Sequence, residues 1–292
     1  MTDIEPSPLE RASAEPVSAE PAPADRPLRR PRRQKATVVG VLGELFLTAG
    51  VLVLLFLGWQ VWLNDIIVGA EQTSAANELA EQWEQGATDD PGSTPTPSET
   101  PAPAETSAPT ATPVAVDPGE PVVAAVPAAG VSFANLIVPR LGADYRRPIA
   151  EGVGLNVLNN RKTGVGHYPQ TQMPGEVGNF AVAAHRTTYG AGFHDINTLL
   201  VGDSIYVETA DGWYKYVYRG TEYVRPTGVG VLDPVPQVAG VASTDRIITM
   251  TSCHPYFSAA ERIIAYGVFD SWYPRAGGPP AEIATLVQAG AH

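Results

Sequence analysis

Arg246-Ile247-Ile248-Thr249-Met250-Thr251-Ser252-Cys253 is the stretch from which the rest of the chain is read. Its β-branched and apolar residues predict a buried strand. The strand ends on Cys253, the only cysteine of the chain. A strand end is a rigid place from which to present a side chain. A second run, Arg262–Phe269, begins nine residues after Cys253. Pairing the two runs as an antiparallel hairpin sets Arg262 beside Cys253.

Further strands lie upstream. Phe133–Pro139 is apolar and extended, and Asn179–Ala184 is a short apolar run. Ser204–Glu208 and Trp213–Arg219 flank Ala210-Asp211-Gly212, a hairpin signal, with Tyr214, Tyr216 and Tyr218 alternating along the second. Thr221–Arg225 continues the meander. Many short strands between Gly- and Pro-bearing turns give a mostly β domain, a barrel or a sandwich, over residues 130–275. Residues 276–292 read as a loose tail with a short helix.

The preceding half of the chain is of another kind. Residues 1–36 are rich in Pro, Ala and Glu and end in Arg26, Arg29, Arg30, Arg32, Arg33 and Lys35. That composition predicts disorder. Thr37–Leu57 carries a single charge, Glu44. At 1.5 Å per residue it spans about 31 Å, the thickness of a bilayer core. Trp59 and Trp62 follow where an aromatic belt belongs. Residues 37–63 therefore read as an anchor. The basic cluster before it predicts a single-pass protein with its N-terminus cytoplasmic and the remainder extracytoplasmic. A cleaved signal peptide fits less well, because the n-region and apolar core are too long and no clean Ala-x-Ala site follows.

Residues 64–129 hold a short juxtamembrane helix over 71–84, with Leu79 and Trp83 on one side, and then a Pro/Thr/Ala linker over 86–128. Such a linker buries too little apolar surface to fold. In a polyproline-II conformation it reaches on the order of 100 Å, a stalk off the membrane.

The 292 residues have a formal net charge of −12, unevenly spread. Residues 71–120 carry ten acidic groups and no Lys or Arg, while residues 121–292 carry twelve basic and thirteen acidic groups. The acidity belongs to the spacer and argues against a nucleic-acid partner. One cysteine excludes an intramolecular disulfide. A lone thiol outside the cytoplasm is ordinarily buried, or else used.

If used, it needs a proton carrier. His292 is terminal, and His254 follows Cys253 directly, so its side chain points to the opposite face. His167, His185 and His194 remain open. His185 ends the strand Asn179–Ala184 as Cys253 ends its own, and two strand ends on one rim can converge. An arginine at position 262 would favour a thiolate and stabilise an oxyanion. His194-Asp195 offers two ligands without a third, too few for zinc, so no metal is expected.

Three motifs carry a family resemblance. Thr249-Met250-Thr251-Ser252-Cys253 resembles the Thr-Leu-x-Thr-Cys signature of sortases, with Met250 for Leu and Ser252 for Thr. Ala184-His185-Arg186-Thr187-Thr188-Tyr189-Gly190 resembles their histidine segment, and Arg262 falls where they place an arginine. The resemblance covers residues 130–272. It implies an eight-stranded sortase-type β-barrel and a cysteine transpeptidase without cofactor. Cys253 would be the acyl-thioester nucleophile, His185 the proton donor and acceptor, and Arg262 the group that holds substrate and oxyanion. Thr251 and Ser252 would bind or orient through their hydroxyls. The implied partners are surface proteins with a C-terminal sorting signal and a peptidoglycan precursor amine.

The anchor, the stalk and His167-Tyr168-Pro169 look most like class E, the actinobacterial housekeeping sortases. That class implies a Leu-Ala-x-Thr-Gly signal over Leu-Pro-x-Thr-Gly. Tyr168 stands where that preference is placed, its phenol able to meet a backbone N–H that Ala has and Pro lacks. Two rival classes are weaker. An L,D-transpeptidase carries Gly before its cysteine and Arg or Asn two after, where this chain has Ser252 and Pro255. A non-catalytic membrane-anchored binding module would leave the three motifs unexplained.

Overall fold

The computed structural model describes residues 37–88 and 119–289. The N-terminal tail with its basic cluster, residues 89–118 of the Pro/Thr-rich stretch, His292 and the Trp62 side chain lie outside the described residues. Helix α1 (Val38–Gly58) buries none of its side chains. It is long and apolar enough to cross a membrane, and so fits the expected anchor. A π-helical turn, Trp59–Leu63, leads into α2 (Asn64–Thr88).

Helix α2 has 25 residues, not the fourteen of the expected stretch 71–84. Its buried stripe is Val68, Gln72, Ala76 and Ala80, spaced by four. This face is small and partly polar, so its apolar periodicity is faint. Leu79 and Trp83 only flank it, half-buried.

The strands are β1 (Ser132–Ile137), β2 (Arg146–Glu151), β3 (Val165–His167), β4 (Gly178–Ala184), β5 (Ser204–Glu208), β6 (Gly212–Val224), β7 (Arg246–His254) and β8 (Glu261–Pro274). A single helical turn, α3 (Leu155–Leu158), crosses from β2 to β3, and α4 (Ala284–Ala289) follows β8. The strands close into an eight-stranded barrel in the order β1-β2-β3-β4-β7-β8-β6-β5. Two neighbouring pairs are parallel, β2 with β3 and β4 with β7. A parallel pair needs a crossover. For β4 and β7 the crossover contains β5 and β6, so β4 lies deep in the barrel and is buried at every residue.

Six strands lie where the sequence places them. The two expected over Trp213–Arg219 and Thr221–Arg225 are one strand, β6, whose register shifts between Tyr218 and Gly220. A glycine there allows the bulge that lets a long strand follow the barrel wall. Strands β2 and β3 were not expected. β2 opens on two arginines and Pro148, and β3 is three residues long, so neither shows an apolar alternation.

The barrel is filled by Tyr214, Tyr216 and Tyr218 of β6 with Phe180, Val182, Ile248, Met250 and Ile263. Met250 is fully buried in this core, which explains an apolar residue before the cysteine motif's hydroxyls. A smaller cluster lies outside the barrel wall. Ile283 and Val287 cover Ile137, Tyr206 and Trp213, while Glu282 accepts hydrogen bonds from Ser204 and Tyr206. The stretch expected as a loose tail is therefore held through position 287, because two apolar residues and one carboxylate find partners on β5. Upstream, Glu120 pairs with Arg246 at 2.5 Å, and the Val122 carbonyl accepts from Tyr214 at 2.6 Å. The described end of the linker thus lies against the barrel.

A buried charge cluster joins four elements. Arg146 and Glu208 are an ion pair with both side chains out of solvent. Asn135 donates to Glu208 at 3.1 Å and to the Ala76 carbonyl of α2 at 2.9 Å. Arg146 also donates to Asn77 of α2 at 2.9 Å. Arg275 reaches Glu208 at 3.2 Å, its guanidinium stacked over Trp213 and Trp83. Removing one partner leaves a buried charge uncompensated. Glu208→Ala is expected to lower unfolding free energy by about 3–5 kcal/mol. Arg140→Ala, which breaks an exposed pair with Asp203, should leave the denaturant midpoint close to that of the unsubstituted protein. Denaturant titration of both variants checks this.

Candidate active site

The parallel ladder between β4 and β7 sets the geometry. Ala183 pairs with Thr251 at the last step of that ladder, His185 follows the end of β4, and Cys253 lies two residues beyond Thr251 on β7. The Ser252 hydroxyl donates to the Ala184 carbonyl at 2.8 Å and ties the two strand ends together. On the other side of β7, Cys253 pairs directly with Arg262 of β8. The strands that carry or lead into these three residues are thus neighbours, in the order β4, β7, β8.

Each side chain has its own surroundings. Cys253 is half-buried and makes no disulfide. His185 is half-buried, and its Nε2 lies 2.8 Å from Asn159 Oδ1. An amide oxygen only accepts, so Nε2 carries the proton and Nδ1 is left free. Burial holds the His185 imidazole below the ordinary histidine value, and the charge of Asp65 partly opposes this. Arg262 donates to the Ala259 and Glu261 carbonyls at 3.1 and 3.0 Å. Its guanidinium therefore rests on its own hairpin loop and must leave it to reach a substrate.

Of the residues given supporting roles, Thr251 and Ser252 are buried. The Thr251 hydroxyl lies 2.9 Å from the Tyr168 phenol. That contact places Tyr168 two residues along β7 from Cys253. The other described histidines have partners of their own. His167 is buried between Phe133 and Phe180 with its Nδ1 2.6 Å from Glu151, a structural pair under the Tyr168 turn. His254 packs against Tyr223. His194 meets the Arg186 carbonyl through Nδ1 at 3.1 Å and lies tilted against the Tyr256 ring at 4.8 Å, with Asp195 3.9 Å away. Among the described residues no group of three His, Cys, Asp or Glu side chains is arranged to hold a metal ion.

Three residues at the site were not foreseen. Arg186 is buried and donates to the His194 carbonyl at 2.5 Å, to Asn197 at 2.7 Å and, more weakly, to the Cys253 carbonyl at 3.5 Å. Its guanidinium also lies 4.2 Å from the Tyr256 ring. Its place next to His185 was a visible signal. Asn159 and Asp65 gave none, since each arrives from an element distant in the chain.

Comparison with known proteins gives the family. A family model described as a sortase domain matches residues 136–270. The chain is 39% identical to the SrtA sortase from Actinomyces oris, covering 94% of that structure and 56% of its own length, with a TM-score of 0.54. The chain belongs to the sortase family. Two relatives from Streptomyces coelicolor bear class E names. Sortase SrtE1 is 34% identical over 259 residues, which is 86% of this chain. Sortase SrtE2 is 29% identical over 243 residues, 82% of this chain and 85% of that protein. This sortase spans 63% of the length of SrtE1. Within the family it is most like class E.

The lowered His185 value has a consequence for stability. As pH falls below the ordinary value of 6.5, the unfolded chain takes up the proton first. The folded state therefore loses stability from that pH downward until the folded imidazole is protonated as well. An NMR titration of the His185 ring is expected to give a midpoint below 6.5. His185→Asn should remove this part of the acid-side loss in a denaturation series.

Proposed function

We propose that this sortase cleaves a C-terminal Leu-Ala-x-Thr-Gly or Leu-Pro-x-Thr-Gly sorting signal between Thr and Gly. It then joins the Thr carbonyl to a cell-wall amine. The observation that supports the proposal is the pairing of Cys253 with Arg262, on a strand whose other neighbour, β4, ends directly before His185.

The Cys253 thiolate attacks the Thr carbonyl carbon. The tetrahedral oxyanion collapses, the C–N bond breaks, and His185 as imidazolium gives its proton to the leaving Gly amine. Arg262, released from the Ala259 and Glu261 carbonyls, holds the oxyanion. The amine of a peptidoglycan precursor attacks the thioester, passes a proton to His185 and releases the thiolate. Burial disfavours the imidazolium that protonates the leaving amine. Asn159 keeps the proton on Nε2 between turnovers and orients the ring, while Thr251 and Ser252 align the strand end.

Tyr168 is the candidate specificity residue for Ala over Pro in the signal. Its phenol is already oriented by Thr251 and keeps capacity to accept from a substrate N–H. The apolar helix α1 supports the following cellular setting. Residues 1–36 lie in the cytoplasm, 37–63 anchor the chain and 64–129 connect it to an extracytoplasmic catalytic domain over 130–275, followed by the segment 276–292. Its partners are surface proteins bearing the signal.

The test uses the full chain in detergent micelles with a fluorogenic Leu-Ala-Asn-Thr-Gly peptide, with and without an amine acceptor. Cys253→Ala is expected to lose turnover and the thioacyl adduct. His185→Ala and Arg262→Ala should each lower kcat/KM by roughly a hundredfold or more. Turnover that survives Cys253→Ala, or no adduct with either signal, sinks the proposal. Tyr168→Phe should narrow the gap between Ala and Pro peptides, and an unchanged ratio removes Tyr168 from the account.

A further inference from the structure

The loop after His185 adopts a backbone that its residues rarely hold alone. Thr188, Tyr189, Gly190 and Ala191 have φ of 68°, 51°, 83° and 43°. Three of these four are not glycine, and such a run persists only where its surroundings over-determine it. Helix α2 supplies the constraint. Both oxygens of the Asp65 carboxylate are used: Oδ2 accepts from the Thr188 N–H at 3.0 Å and Oδ1 from the Gly190 N–H at 3.2 Å. Two turns along the helix, the fully buried Gln72 donates from Nε2 to the Tyr189 carbonyl at 3.0 Å. A Cβ at Gly164 would lie 2.3 Å from the Gln72 amide, and one at Gly190 would lie 2.8 Å from it. Two glycines thus leave the slot that this amide fills.

The constrained loop bears on the histidine. The Tyr189 ring is 5.3 Å from the His185 ring, tilted against it. We propose that Asp65 is a positioning residue for His185, acting through the turn 188–190, and that α2 is thereby a working part of the active site. This rests on the reading of His185 as the proton carrier. The charge of Asp65 adds a second effect, since it favours the imidazolium against burial.

A purely structural role for Asp65 does not account for the pattern. Helix α2 is tied to the barrel elsewhere, by Glu71 to Arg161, Thr73 to Arg147 and Asn77 to Arg146. None of these contacts touches the loop. Loss of Asp65 therefore leaves the helix docked and frees the turn. The titratable or charged groups around His185 are Asp65 from α2, Tyr189 and Arg186 from the loop, Cys253 from β7 and Arg262 beyond it on β8. Asn159, uncharged, holds Nε2.

The test is made on the full chain in detergent micelles with the Leu-Ala-Asn-Thr-Gly peptide. Asp65→Asn and Asp65→Ala are expected to lower kcat about tenfold or more through misplacement of the proton carrier. KM should stay within about twofold of the unsubstituted value. The NMR midpoint of His185 should fall in Asp65→Asn, and Asp65→Glu should restore part of both effects. Gln72→Ala should lower kcat in the same direction, while Glu71→Gln, on the same helix but off the loop, should leave it unchanged. Thermal melts monitor folding. If Asp65→Ala does not fold, Asp65→Asn and Gln72→Ala decide. Unchanged kcat and an unchanged His185 midpoint in Asp65→Asn overturn the proposal. The midpoint is read without turnover, so a chain inactive on every peptide defeats the functional reading and still tests the positioning.

Discussion

The parallel pairing of β4 and β7 is the constraint on which the candidate site depends. Neither strand positions anything catalytic alone. Their shared ladder brings the ends of the two strands side by side, and the hydroxyl of Ser252 bonds the Ala184 carbonyl just before His185. The hairpin of β7 and β8 then adds Arg262 with no freedom of register, because Cys253 is its direct partner. Strand registers are discrete. A slip of one residue would send each of these side chains to the opposite face.

The site's second layer is polar and comes from far away in the chain. Asn159 arrives from the turn after α3, Arg186 bridges to the Cys253 carbonyl and Tyr256, and Asp65 comes from the anchor-proximal helix. These groups hold backbone and ring positions and leave the reacting atoms free. The buried Arg146–Glu208 cluster performs the matching task for the scaffold, since it joins α2, β1, β2 and β5 through buried polar side chains. Breaking either layer exposes a buried donor or acceptor, which is why each is expected to fail cooperatively.

Much of this was legible from residues alone, where strands alternate or run apolar. β7, β8, β4 and the Tyr214–Tyr218 strand carried strong periodic signals, and their ends carried the three motif residues. Two kinds of feature stayed hidden. β2 and β3 are strands by virtue of neighbours, since Arg146 is tolerated inside only because Glu208 meets it. Helix α2 was seen but its docking face was not, because Val68, Gln72, Ala76 and Ala80 make a stripe too small and too polar to register as amphipathic. Long-range polar contacts leave no trace in local composition. For that reason the motif residues could be found and their supporting partners could not.

The crossover between β4 and β7 has one more consequence. His185 and Cys253 are neighbours only through a contact that spans 68 residues, with two whole strands inserted between them. Non-local pairings of this kind form late, when the loop-closure entropy of the intervening chain has been met. A folding chain therefore displays Cys253 well before the end of β4 lies beside it. On the proposed reading, closure of the barrel is the step that completes the site.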